Sequence, residues 1–492
     1  GDWIIGPVEL ASDQEIIIGK NVTVRALKGS FKDKNDALFT SKGGKNITVR
    51  GSGNSRLIMN KKDYQNRKLY DPAEWRHIFS FLSCENITVK DLKLSSSGGD
   101  GVYLGVGLNR AHLYCDNVLL ENLAVTDQHR QGISVISARN LTIRNCSFDN
   151  TSGTPPQAGI DFEPNRGGEQ LTNILIEKCG FFGNSGSGIE FLLNHLSEKS
   201  EPVSITIKDC RIADNRNNLI LMQGRNPNVR GRVEFLNCTF TAGKGKGNVR
   251  VDGLGKDFSV LFKGCTINTD DSAVGNGAFN ISSSLPDAGN IVLENLKVNG
   301  PAAPVSVKAT AGSAPALGNL SGTILHNGQP YDLPGFVAAY EAHRRQLAAL
   351  KDATVDVNTL VPAPGTARVS ASGKFPLRGT GSFLQYCEAG NKFELEVRPF
   401  PLGRARKKQL LLVTDPQGKV IRKLELDSDG KAHRIEFTAE LTGVYRVQYD
   451  TRRAMLFIKS AMPGQGLSPN GELCMVRPAG RLYFEVPAGV RE

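Results

Sequence analysis

The sequence predicts an all-β protein, a right-handed parallel β-helix followed by a short helix and a C-terminal β-sandwich. Three observations lead there: a coil-length repeat, strands that alternate apolar and variable residues, and cysteines confined to one register. Aligned on one pattern, the chain contains Asn46-Ile-Thr-Val, Asn86-Ile-Thr-Val, Asn117-Val-Leu-Leu, Asn140-Leu-Thr-Ile and Asn173-Ile-Leu-Ile. A second inward position gives the series Leu92, Leu123, Cys146, Cys179, Cys210, Cys238, Cys265 and Leu296, with successive members 23 to 33 residues apart. A third strand follows in Gly101-Val-Tyr-Leu, Gly132-Ile-Ser-Val, Gly159-Ile-Asp-Phe, Gly188-Ile-Glu-Phe, Asn218-Leu-Ile-Leu and Asn248-Val-Arg-Val. Period-2 alternation is the mark of a strand with one buried face. Three short strands per coil make a solenoid, in which one coil cannot bury its apolar face and only the stack is stable.

The same register accounts for the cysteines. Five of the nine fall in one column, and buried Cys behaves as a small hydrophobe. No CxxC occurs, so the column argues against a disulfide framework and against a metal site. Asn before a strand tolerates the left-handed backbone and can stack as an amide ladder.

Three regions follow. Residues 1–325 form the β-helix and carry the groove. Residues 326–364 hold a helical clasp, with Phe336, Tyr340, Leu347 and Leu350 on one face, and a Pro-rich linker, Val361-Pro-Ala-Pro-Gly. Residues 365–492 form a basic β-sandwich of strands such as Phe393-Glu-Leu-Glu-Val and Tyr445-Arg-Val-Gln-Tyr, with Arg404-Ala-Arg-Lys-Lys at a hairpin tip. The net charge is +11, and residues 366–492 carry 21 Lys/Arg against 13 Asp/Glu. A basic surface favours a polyanion. That charge is not interleaved with stacking aromatics outside residues 61–76, so nucleic acid is not the expected partner. No run of 18 apolar residues occurs, so no membrane insertion is expected, and the start at Gly1-Asp2-Trp3 fits a processed or trimmed chain.

The repeat also supplies coordinates for a site. Outward positions of the third strand read Tyr103, Ser134, Asp161, Glu190, Ile220 and Arg250 on successive coils, along a shallow groove. The next outward positions include Glu163. Asp161 and Glu163 are two apart on one strand, about 6.6 Å, and Asp161 and Glu190 sit on neighbouring coils, about 4.8 Å apart. Stacked like charges raise one carboxyl's pKa or call for a cation. A proton donor beside an ionised neighbour is what glycoside hydrolysis requires, which makes Asp161, Glu163 and Glu190 the candidate catalytic set. Trp75, Arg76, His77, Asp100, Tyr103, His129, Arg130 and Gln131 gather at the edge of the same strand as candidate substrate-binding residues. Guanidinium groups suit a sugar carboxylate or sulfate. Tyr64, Tyr70 and Trp75, on the 61–75 excursion, are placed to stack on pyranose rings.

Segments Gly98-Gly-Asp-Gly-Val-Tyr-Leu-Gly, Arg130-Gln-Gly-Ile-Ser-Val-Ile-Ser and Ala158-Gly-Ile-Asp-Phe-Glu-Pro-Asn resemble those of right-handed parallel β-helix carbohydrate-active enzymes, over roughly residues 15–325. The resemblance implies export, to a secreted or periplasmic location, and a polysaccharide or oligosaccharide substrate. Polygalacturonases in that superfamily use a paired Asp-Asp and a Gly-His-Gly, and no Gly-His-Gly occurs here. Lyases there set two acids on one strand around Ca²⁺ with a Lys base; Asp161-Phe-Glu163 is similar in spacing, but no Lys follows. The expectation is a glycoside hydrolase acting on an acidic glycan without a cofactor. The alternatives are a lyase, in which the carboxylates hold Ca²⁺, and a non-catalytic glycan-binding or adhesion β-helix.

Overall fold

In the computed structural model the chain divides into two compact units, Gly1–Ala348 and Ala349–Glu492. The structure describes residues 1–351 and 375–475, apart from 108–111, 224–227, 244–248, 274, 284, 310–314, 379, 402–407, 452–454, 460–464 and 470–473. The Pro-rich linker, the hairpin tip at 404–408 save its last residue, and the side chains of Leu347 and Leu350 lie outside the described residues.

The first unit is the parallel β-helix. Each Asn-led strand pairs in parallel with its counterpart one coil on, as in Val118↔Leu141↔Ile174↔Ile205. The second row runs in step, with Leu94↔Val125↔Phe148↔Phe181↔Ile212. Among the described residues the third row makes an eleven-stranded parallel sheet, from Val8–Glu9 to Val305–Ala309. Its inward residues Val102, Ile133, Ile160, Ile189 and Leu219 are wholly buried. Like side chains stack along the axis, as Phe162 does on Phe191 at 4.6 Å between ring centres.

The turns explain the Asn pattern. Asn46, Asn86, Asn117, Asn140 and Asn173 all have φ between 53° and 57°, the left-handed region that Asn tolerates better than most residues. Their amides also pair between coils: Asn86 Nδ2 donates to Asn46 Oδ1 at 2.9 Å and Asn117 to Asn86 at 2.8 Å. One coil later the ladder shifts by a residue, and Asn140 donates to Asp116 instead. Cys146, Cys179, Cys210, Cys238 and Cys265 are buried free thiols in one column, as their register requires.

The helix Leu333–Lys351 packs Phe336, Val337 and Tyr340 on the β-helix core, with the Tyr340 hydroxyl donating to Pro315 O at 2.9 Å. No helix among the described residues is long and apolar enough to cross a membrane.

Among the described residues the second unit has two antiparallel five-stranded sheets. Phe393, Leu395, Val397 and Leu456 of one sheet share a core with Phe383, Leu411, Val413 and Val447 of the other, the arrangement of a β-sandwich. Tyr445 closes one corner by donating its hydroxyl to Leu441 O at 2.9 Å.

Candidate active site

The register fixes the site. Tyr103, Ser134, Asp161, Glu190, Ile220 and Arg250 pair one after another on successive coils of the third sheet. The three candidate carboxylates therefore stand on two neighbouring strands, Ile160–Phe162 with the residue after it and Ser187–Leu192.

The middle of this face is closed, whereas alternation predicts an open, shallow groove along its length. Ser134 and Asp161 are wholly buried and Glu190 is 9% exposed, and long connections reach groups at the same edge. Glu74, on the 61–76 excursion, lies 3.2 Å from Arg130 Nε, and Ser137 donates its hydroxyl to Leu113 O. Period-2 alternation says which way a side chain points from its strand and nothing about what folds over it.

Glu163 is the most accessible of the three acids, with its side chain 27% exposed, and it accepts a hydrogen bond from Arg130 Nη2 at 3.1 Å. Glu190 lies one coil on, its carboxyl pushed up by burial and by the charge of Glu163. Asp161 sits below the surface. Its Oδ2 accepts from Gln131 Nε2 at 2.9 Å, while Oδ1 is buried without a partner. Burial, then the charges of Glu163 and Glu190, hold its carboxyl well above the usual range, against the pull of Arg130.

A second layer supports these groups. Gln131 is fixed at its other end, where Oε1 accepts the Ala158 amide at 2.8 Å. Asp100 accepts from the Ser134 hydroxyl at 2.8 Å, and burial pushes its carboxyl up to about 7 despite Arg130. His77 Nδ1 accepts the Asp100 amide at 2.9 Å, which leaves the ring proton on Nε2. The 3.4 Å approach of Nδ1 to Asp100 Oδ2 is thus not an ion pair, and burial, helped by Arg130, holds the imidazole down at about 3. His77 also stacks on Tyr103, 4.8 Å between ring centres. Burial alone would lower the Arg130 pKa, yet Asp100, Glu163 and Asp161 together raise it, so the guanidinium stays charged at the centre of the cluster.

Arg76 corrects the sequence reading. It is wholly buried and points away from the groove, donating to the carbonyls of Phe31, Asp71 and Lys32 at 2.9–3.2 Å. Its guanidinium lies over Tyr64 and Tyr70, which are themselves buried and offer no stacking platform. Arg76 thus ties the 61–76 excursion to the 31–32 turn. Of the three loop aromatics, Trp75 alone is open, at 44% exposure. His129 is held on both ring nitrogens, by Gln65 and Thr154, each at 2.9 Å, and burial lowers its pKa.

Glu74 was not among the sequence candidates. It sits next to Trp75, but the excursion has no periodicity from which its direction could be read. Among the described residues no three acidic, His or Cys side chains converge as a metal cage. Gln131 engages one oxygen of Asp161 and Arg130 one oxygen of Glu163.

The comparisons bear on the fold. Residues 77–267 match the family model for the right handed beta helix region. That β-helix region holds every candidate site residue except Tyr64, Tyr70, Trp75 and Arg76. A relative from Bacillus subtilis (strain 168), the uncharacterized protein YclG, is 26% identical over 157 residues, 29% of this chain and 26% of that protein. The match thus spans about a quarter of that relative's length. Among solved structures, the chain is similar to PfbA, a surface adhesin of Streptococcus pneumoniae, at 15% identity over 66% of this chain and 82% of that one, TM-score 0.42. It is also similar to the Yersinia enterocolitica family 28 exopolygalacturonase, at 13% identity over 66% of this chain and 70% of that one, TM-score 0.44.

The buried acids of the β-helix region make stability depend on pH. Asp100 has a folded-state pKa above its unfolded value of 3.8, so its contribution is fully present below pH 3.8 and is lost as pH rises through about 7. We expect Asp100→Asn to gain stability relative to the parent chain between pH 4 and pH 8, by up to about 4 kcal/mol. Urea midpoints at the two pH values measure this, and an equal offset at both would refute it.

Proposed function

We propose that the protein is a glycoside hydrolase that cleaves a polysaccharide or oligosaccharide at the third-sheet site, with Glu190 as general acid and Glu163 as its carboxylate partner. The observation that carries this reading is the contrast between two acids on adjacent coils. Glu163 is partly open and held by Arg130, whereas Glu190 is nearly buried with a raised pKa. A carboxyl raised by burial beside a more open carboxyl held by a guanidinium suits the pair of roles, acid and carboxylate partner.

Strand geometry sets the two backbones about 8 Å apart on the diagonal, one coil and two residues. Inversion needs a water between two carboxyl groups that stand roughly 6.5–9.5 Å apart, and side chains rising from this diagonal are compatible with that. Asp161 then acts as a positioning residue. It is buried behind the pair, and its hydrogen bond from Gln131 braces the strand bearing Glu163. The reading carries with it a secreted or periplasmic location, where such glycans are met.

The test is a panel of uronic, sulfated and neutral polysaccharides assayed for new reducing ends and for ultraviolet absorbance of unsaturated uronides. Hydrolysis gives reducing ends without that absorbance. Absorbance rising with the reducing ends would overturn the assignment in favour of elimination, and no turnover on any glycan would favour a binding role.

A further inference from the structure

A cleft separate from the carboxylate pair opens between the 61–76 excursion and the turn at His129. It has a volume of about 420 Å³ and is lined by Lys34, Gln65, Arg67, Glu74, Trp75 and Thr154 among others. That volume lies within the roughly 300–1,000 Å³ of small-ligand sites. We propose that this cleft is a subsite for a negatively charged sugar ring, stacked on Trp75 and held through its carboxylate or sulfate by Lys34 and Arg67. The proposal rests on the glycan-acting reading above and adds the charge class of the substrate.

Three features argue for an anion there. Lys34 and Arg67 bring two positive charges, and among the described residues neither has an ion-pair partner. The acid in the lining, Glu74, already lies against Arg130 at 3.2 Å, so it opposes the two cations only weakly. His129 is disfavoured as a cation, since its Nδ1 faces the donor Gln65 Nε2 and burial lowers its pKa.

Trp75 supplies the apolar platform. An open indole beside donors fits a sugar ring, which presents a C–H face and polar edges. The excursion that carries it is rigid at its base, because Arg76, the next residue, is buried with three backbone acceptors. Glu74 both lines the cleft and reaches Arg130, which holds Glu163. A ring bound in the cleft therefore sits next to the group that fixes the proposed base.

Trp3 and Trp75 are the two tryptophans of the chain, so Trp3→Phe leaves Trp75 as the sole indole reporter. Its emission is titrated with galacturonate, alginate and chondroitin sulfate oligosaccharides, and with neutral cello-oligosaccharides of equal length, in a Glu163→Gln background so that turnover plays no part. At least one anionic series should shift or quench the emission, with Kd rising about tenfold or more in Lys34→Ala/Arg67→Ala and with added salt.

A response to none of the anionic series, equal affinity for the neutral series, or indifference to the double substitution would each overturn the subsite. The two readings fail separately. Turnover with a silent Trp75 would sink the subsite and spare the hydrolase, while a salt-sensitive Trp75 response without turnover in the parent chain would do the reverse.

Discussion

Replacing Glu163 with Gln is expected to lower turnover by about 10²–10⁴-fold, and Glu190→Gln by a similar factor, the usual range for removing a positioned acid or base. Both changes keep the shape of the side chain. Glu163→Gln also removes the negative partner of Arg130, but Glu74, Asp100 and Asp161 remain nearby, so the guanidinium is not stranded. The two variants should differ in pH behaviour. Loss of Glu190, whose carboxyl is raised by burial, should remove the limb at which activity declines with rising pH. Rates of reducing-end release across pH, with thermal melts to confirm folding, measure both effects. Near-full activity in either variant would exclude it from the chemistry.

The second large effect is on stability. In Gly132→Ala the new Cβ would stand 2.4 Å from the carbonyl oxygen of Gly159 on the next coil and 3.0 Å from Phe148. Real contacts do not tolerate the first distance, and backbone on the neighbouring coil cannot move alone. Overpacking of this kind costs typically 1–3 kcal/mol. The upper end is expected here, because in a solenoid each coil transmits its displacement to its neighbours. Gly318→Ala is the control, since nothing lies within 4 Å of its added Cβ. Urea denaturation should place the two variants well apart, and matching midpoints would show that the coils are more plastic than this spacing implies.

The repeat was legible because a solenoid writes one spatial register into the chain over and over. Asn before a strand, a small inward residue six positions later and Gly before the third strand each recur for a separate physical reason. That register placed Asp161 opposite Glu190, as the strand pairing shows. It could not show that Asp161 is buried, because alternation gives the direction of a side chain and not what packs against it. Arg76 was misread for the same reason. It is grouped with Arg130 at the edge of the third strand, yet its guanidinium turns toward the 31–32 carbonyls, a contact made across 44 residues of sequence. Lys34 and Arg67 joined the site only in space. In the second unit, alternation disclosed the strands but offered no counterpart to the coil register, so no site was read there.

The column of thiols has a consequence for following the molecule as it opens. Eight cysteines among the described residues are buried and unbonded, and five of them mark consecutive coils from Cys146 to Cys265. A thiol reagent reaches such a sulfur only when its own coil has come apart. Each coil in the middle of the stack therefore carries its own chemical clock. Mass spectrometry of a brief alkylation pulse would read those clocks in order, and tell whether the stack unzips from one end or parts in the middle.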